Sequence, residues 1–167
     1  MLKSTRLAVA IIALCTGQVA LAAEPFSLTS SSFKDGTALG AKNAGNLASN
    51  PNCIGENISP QLSWSNIPAR TKNMALVLHD PEARNRLGFT HWVAYGIAPT
   101  VSGFAEGEVS QPGNKFVGGK NGMGLLHYEG PCIPQGIGMH HYAFTLIATD
   151  LEPDDRSGGT VRTPLVC

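Results

Sequence analysis

Asp80, His91 and the pair His140-His141 are the residues whose types and placement could do chemistry in this chain. All five histidines fall between positions 79 and 141. His79-Asp80-Pro81 closes one apolar run, His91 opens a second, and His140-His141-Tyr142 opens a third. Each then sits where a strand meets a loop, and the three could converge at one rim. Imidazoles donate hydrogen bonds to phosphate or sulfate oxygens, more strongly when protonated. A carboxylate beside them suits an anion site only if it fixes one imidazole's tautomer and raises its pKa. It could also meet the cationic end of a zwitterion. Successive side chains of a strand face opposite sides, so His140 and Tyr142 share a face that His141 does not. Only one histidine of that pair is expected in a common pocket.

The loop Tyr128-Glu129-Gly130-Pro131-Cys132-Ile133-Pro134 adds a second element. Gly permits backbone shapes that turn successive N–H groups to one side, and Pro stiffens the frame. Such a concavity binds small anions. Two rival chemistries draw on the same residues. Asp80 and His91 could activate Ser59 as a hydrolase, but Ser59 precedes Pro60 and lacks a G-x-S-x-G elbow. Asp80, His91 and His140 could ligate a metal, yet no pair has a tight helical or knuckle spacing. Catalytic residues, metal and cofactor are therefore each read as none. His79, His127 and His141 read as structural, Trp64, Trp92 and Phe144 as core, and Asn57 and Ser59 as groups that tie loops. Lys115 and Lys120 read as solvated charges.

The elements that must hold these residues read as strands. Residues 26–31 alternate weakly and Gln61–Trp64 alternates more clearly. Met74–Leu78 is a continuous apolar run, the pattern of a strand covered on both faces. His91–Ile97 and Tyr142–Ala148 are rich in aromatic and branched residues. Gly/Pro/Asn segments at 50–60, 111–124 and 129–138 separate them. No segment sustains a helical period and no repeat or interdomain linker stands out. The expected class is all-β, a single β-sandwich with long loops. A barrel is the alternative. Gly 19 and Pro 11 among 167 residues agree with many turns. Lys plus Arg and Asp plus Glu both number 12, which excludes a nucleic-acid binder built on a basic face. Aromatics at 7% leave little for a base-stacking platform.

Residues 1–22 read as a secretory signal peptide. Lys3 and Arg6 precede an apolar run, Leu7–Cys15, that falls well short of the ~20 residues of a membrane span. Ala20-Leu21-Ala22 offers small residues for cleavage after Ala22. Losing Lys3 and Arg6 leaves 10 basic against 12 acidic groups. The mature chain is expected to be periplasmic or secreted, with no transmembrane segment. An oxidising compartment favours pairing of Cys53 with Cys132, both in Gly/Pro-rich loops. Two buried free thiols are the alternative.

Four motifs in order then carry a family resemblance. They are Cys53-Ile54-Gly55-Glu56-Asn57-Ile58-Ser59-Pro60-Gln61-Leu62-Ser63-Trp64, His79-Asp80-Pro81-Glu82-Ala83, Phe89-Thr90-His91-Trp92-Val93, and Gly130-Pro131-Cys132-Ile133-Pro134 with the following His140-His141-Tyr142. Over residues 26–152 the chain resembles the phosphatidylethanolamine-binding protein family, in its bacterial Raf-kinase-inhibitor-like branch. The resemblance implies a β-sandwich whose small pocket accepts phosphate head groups. It implies that Asp80, His91, Pro131, His140 and Tyr142 line that pocket, with Gly130 shaping its loop. The expected ligand is a small phosphorylated or anionic molecule such as phosphoethanolamine, bound without catalysis. The alternative is a protein-interaction module that inhibits a protease or kinase. The domain is expected over residues 23–152. Three departures stand out. Arg84 occupies the place of a second proline, Ile133 interrupts a Pro-Pro pair, and Pro153–Cys167 reads as an atypical, partly disordered tail where the family places closing segments.

Overall fold

Two antiparallel sheets share one core in the computed structural model, which describes residues 23–134 and 136–152. The expected signal segment 1–22 and tail 153–167 lie outside the described residues. The first sheet has the order β1-β2-β5, from Ser27–Thr29, Leu62–Ser65 and Gly103–Phe104. The second has the order β6-β4-β3-β7, from Val117–Gly119, Phe89–Ile97, Asn73–Asp80 and Ala143–Thr149. The fold is all-β, apart from a 3₁₀ turn at Ala41–Asn43 and a four-residue helical turn at Ala83–Arg86.

Alternation explains which face each strand buries. In β2, Leu62 and Trp64 point inward, and in β3 Met74, Leu76 and Leu78 do. They meet Trp92, Ala94 and Ile97 of β4 and Phe104 of β5. The Trp92 ring bridges the sheets, edge-on to Phe104 at 5.7 Å and to Phe116 at 5.7 Å. Edge-to-face pairing puts positive ring edges on negative faces, which adds to the apolar burial.

One expectation needs correction. The Met74–Leu78 run predicts a strand covered on both faces. Ala75, Val77 and His79 are instead only half-buried among the described residues. Their neighbours on that face of the sheet include Ile147 and Tyr95, both exposed. On the outer face only Val77 is a β-branched strand former, and Ala75 is small enough to sit there without a covering layer. The short strands β5 and β6 also lay hidden in Gly-rich stretches that carry no alternation.

A β-bulge in β4 is the feature that builds the site. Leu78 pairs with Trp92, but the next residue, His79, pairs with Thr90. His91 is therefore the extra residue. A bulge lets two consecutive side chains leave the alternating pattern. His91 and Trp92 are both buried as a result.

Candidate functional site

The carboxyl end of β3, the start of β4, the 129–134 loop and the segment before β7 enclose a cavity of about 320 Å³. Asp80, His91, Gly130, His140 and Tyr142 line it. Pro131 does not. It is buried behind the wall, where its carbonyl accepts the Gly45 N–H at 2.9 Å. His140 and Tyr142 lie just before β7, which begins at Ala143.

Asp80 is fully engaged. Its Oδ1 accepts the backbone N–H groups of Glu82 (2.9 Å) and Ala83 (3.0 Å), which closes the turn after β3. Its Oδ2 accepts from His140 Nδ1 at 2.6 Å. That contact fixes the ring with its proton on Nδ1, and Nε2 has no partner among the described residues. The His140 side chain is 12% exposed, so the pair is shielded yet reachable from the cavity.

His91 is held by a different partner. Its Nδ1 donates to the Glu129 carbonyl at 2.9 Å. Its ring packs edge-on between Phe89 (4.8 Å) and Tyr142 (5.3 Å). Burial lowers its pKa below the ordinary value, against the opposing pull of the Glu129 carbonyl and of Asp80. The resting ring is neutral at neutral pH. Tyr142 is pushed upward by burial and by the Asp80 carboxylate facing it, so its phenol keeps its proton.

The first N–H groups of the loop are spent inside the protein rather than turned toward the cavity. Glu129 N–H donates to the His91 carbonyl (3.3 Å) and Gly130 N–H donates to Asn57 Oδ1 (2.7 Å). Pro131 has no N–H to offer. The physical reason is Asn57, which sits in the left-handed region (φ 56) and also donates to the Tyr128 carbonyl at 3.3 Å. It clamps the loop and uses up a donor. Gly130 is required for another reason: a Cβ there would lie 2.2 Å from the Asn43 carbonyl oxygen.

The structure bonds Cys53 to Cys132, joining loops 79 residues apart in sequence. His79 pairs with the Thr90 hydroxyl, His127 with the Tyr128 carbonyl, and His141 with Glu82, all away from the cavity. Ser59 is fully buried, accepts the Val109 N–H and does not line the cavity. Asp80, His91 and His140 do not bring three ligand atoms together. Among the described residues the one such cluster is Cys53, Glu129 and Cys132, whose two sulfurs are bonded to each other.

Two charged cavity residues were missed from the sequence. Arg84 heads a left-handed turn with Asn85 (φ 52 and 56) and stacks over the Phe89 ring at 4.7 Å. Its position in place of a proline was the available signal. Glu129 is the other. Its neighbourhood of Gly and Pro reads as exposed loop, yet the residue is buried. Leu47, Met123 and Ile137 complete an apolar rim.

The comparisons agree with this architecture. A family model described as phosphatidylethanolamine-binding protein matches residues 29–164. A UPF0098 protein of Methanothermobacter thermautotrophicus is 39% identical over 118 residues, 70% of this chain and 76% of that one. A Mycobacterium tuberculosis protein named as a lipoprotein, LppC, is 38% identical over 136 residues, and the match covers 79% of this chain but 61% of LppC. No helix among the described residues is long and apolar enough to cross a membrane. The crystal structure of Escherichia coli YbcL aligns with a TM-score of 0.70 at 33% identity, covering 77% of this chain and 79% of its own. Kinship over most of both chains, on this all-β frame, means that the chain belongs to the phosphatidylethanolamine-binding protein family, in its bacterial branch.

Proposed function

We propose that this protein is an exported binding protein that holds a small phosphorylated ligand between His91 and His140, without turning it over. The observation that carries the reading is the pair of imidazoles on the wall of one cavity whose Nε2 atoms have no partner among the described residues, with Asp80 orienting one of them. Once its Nε2 also carries a proton, an imidazole so placed gives one hydrogen bond to a phosphate oxygen. The apolar rim of Leu47, Met123 and Ile137 has room for an organic part beyond the anion. Ser59, the one side chain suggested as a nucleophile, is spent on the Val109 N–H, which supports binding over hydrolysis. Export is supported by the leader pattern of residues 1–22 and by kinship with a protein named as a lipoprotein.

Calorimetric titration of the mature chain with phosphoethanolamine and with inorganic phosphate tests the proposal. Wild type is expected to bind. The double variant His91→Ala/His140→Ala is expected to lose affinity by roughly a hundredfold, two charge-assisted hydrogen bonds being removed. Equal titrations for the two proteins overturn the assignment.

A further inference from the structure

Glu129 is the buried carboxyl beside the cavity that ligand binding leaves unused. It is 3% exposed, and its Oε1 has no hydrogen-bond partner among the described residues. One of its carboxyl oxygens and the sulfurs of Cys53 and Cys132 all lie within 4.8 Å of one another. Gly45 closes the far side of this group. A Cβ at that position would come within 2.5 Å of Cys132 Sγ and 2.7 Å of Glu129 Oε1. Glu129 and Cys132 both line the cavity, and each cysteine is half-buried.

A carboxyl buried without a partner is an expensive filler, since an apolar side chain of that size would occupy the space without the desolvation cost. Burial also holds its pKa above the usual carboxylate range. A protonated acid against a disulfide has one evident use. When a disulfide is cleaved, one sulfur departs as a thiolate and must be neutralised. From these contacts we infer that Cys53–Cys132 is a reversible redox site, reduced by an external dithiol, in which Glu129 exchanges a proton with the departing sulfur.

The step balances. One donor thiol loses its proton to water, and its thiolate attacks one cysteine sulfur. The Cys53–Cys132 bond breaks, and its electron pair leaves on the other sulfur, which takes the Glu129 proton. The donor's second thiol gives its proton to the Glu129 carboxylate and attacks the mixed disulfide. The second cysteine leaves as a thiolate and takes a proton from water. The donor ends as a disulfide, the protein as a dithiol, and Glu129 is restored. This site stands independently of what the cavity binds.

The test is the rate of reduction of the folded, intact chain by dithiothreitol, with Cys53 and Cys132 followed by peptide mass spectrometry. The rate constant is expressed per thiolate, between roughly pH 4 and pH 9, from the ordinary carboxylate range up to the thiol range. In wild type it is expected to fall as pH rises and Glu129 loses its proton. In Glu129→Gln it is expected to be flat and, at the acid end, slower by one to two orders of magnitude, about the low end for a positioned proton donor. If Glu129→Gln fails to fold, Glu129→Asp withdraws the carboxyl by one methylene and should show the same acid-end slowing. A wild-type profile as flat and as slow as the variant's overturns the inference. So does a disulfide that dithiothreitol cannot reduce while the chain stays folded.

Discussion

The two imidazoles of the cavity are held by different partners. His91 carries its proton on Nδ1, pinned to the Glu129 carbonyl, so its neutral Nε2 is an acceptor. It cannot donate to an oxyanion until it takes up a second proton. Asp80 and the Glu129 carbonyl favour that proton, while burial, His79 and His140 oppose it, and burial dominates. Tyr142, also against the ring, stays neutral. Binding of sulfate, whose own charge is constant here, is therefore expected to tighten as pH falls from about 8 to about 5.5, through the histidine range. Calorimetry of wild type and His91→Asn checks this, the variant losing most of the pH dependence. The sign for stability is opposite. The folded pKa of His91 lies below its ordinary 6.5, so the unfolded chain takes the proton first. The stability contributed by neutral His91 is whole above that value and declines as pH falls through it. The melting midpoint of ligand-free protein should drop between about pH 7.5 and pH 5.5, less so in His91→Phe. These residues were legible in the sequence because titratable types at strand ends are few. Glu129 was not, because burial of a loop carboxyl depends on what packs over it, here Gly45 from far away in the chain.

At the scale of elements, the site depends on a bulge and a clamped loop, and only the second left a trace in the sequence. Period-two alternation puts His91 and Trp92 on opposite faces of a regular strand. The extra residue in β4 brings both inside. No residue type marks that bulge, so sequence placed His91 at a strand start without its direction. The loop from 129 to 134 was legible as a rigid Gly/Pro wall, and Asn57 as a loop tie. What was not legible is that the tie consumes the Gly130 N–H. Two variants probe the wall. Gly130→Ala has no room beside the Asn43 carbonyl and is expected to destabilise the fold by about 1–3 kcal/mol, the usual penalty for overpacking, measured by urea melts. Cys53→Ser/Cys132→Ser opens a loop spanning 79 residues in sequence. In the chain-entropy picture that removes roughly 4–5 kcal/mol. The double serine variant should match wild type melted under reducing conditions. A loss under about 1 kcal/mol would mean that the unfolded ensemble already keeps these loops together.

At the scale of the molecule, the all-β class was legible because strand-forming runs alternate with Gly/Pro segments and no helical period appears. The pairing order was not, since β5 and β6 are two and three residues long and take their register from neighbours rather than from their own pattern. What unites the two sheets is an aromatic group, Trp92 with Phe104 and Phe116, to which Trp64 adds an edge contact on Phe104 at 5.3 Å. Trp92 is fully buried, and its Nε1 has no hydrogen-bond partner among the described residues. Its worth is thus in ring area and edge contacts, offset by an unsatisfied N–H. This separates two substitutions that are usually alike in direction. Trp92→Ala leaves a cavity between the sheets and is expected to cost about 3–5 kcal/mol. Trp92→Phe keeps an aromatic edge for Phe104 and removes the unpaired donor, so it should cost less than about 1.5 kcal/mol. Because His91 is the neighbouring residue of the same bulge, Trp92→Ala should also weaken phosphate binding, while Trp92→Phe leaves it near wild type. Equal stabilities of the two variants in urea would mean that the sheets are held by something other than this ring.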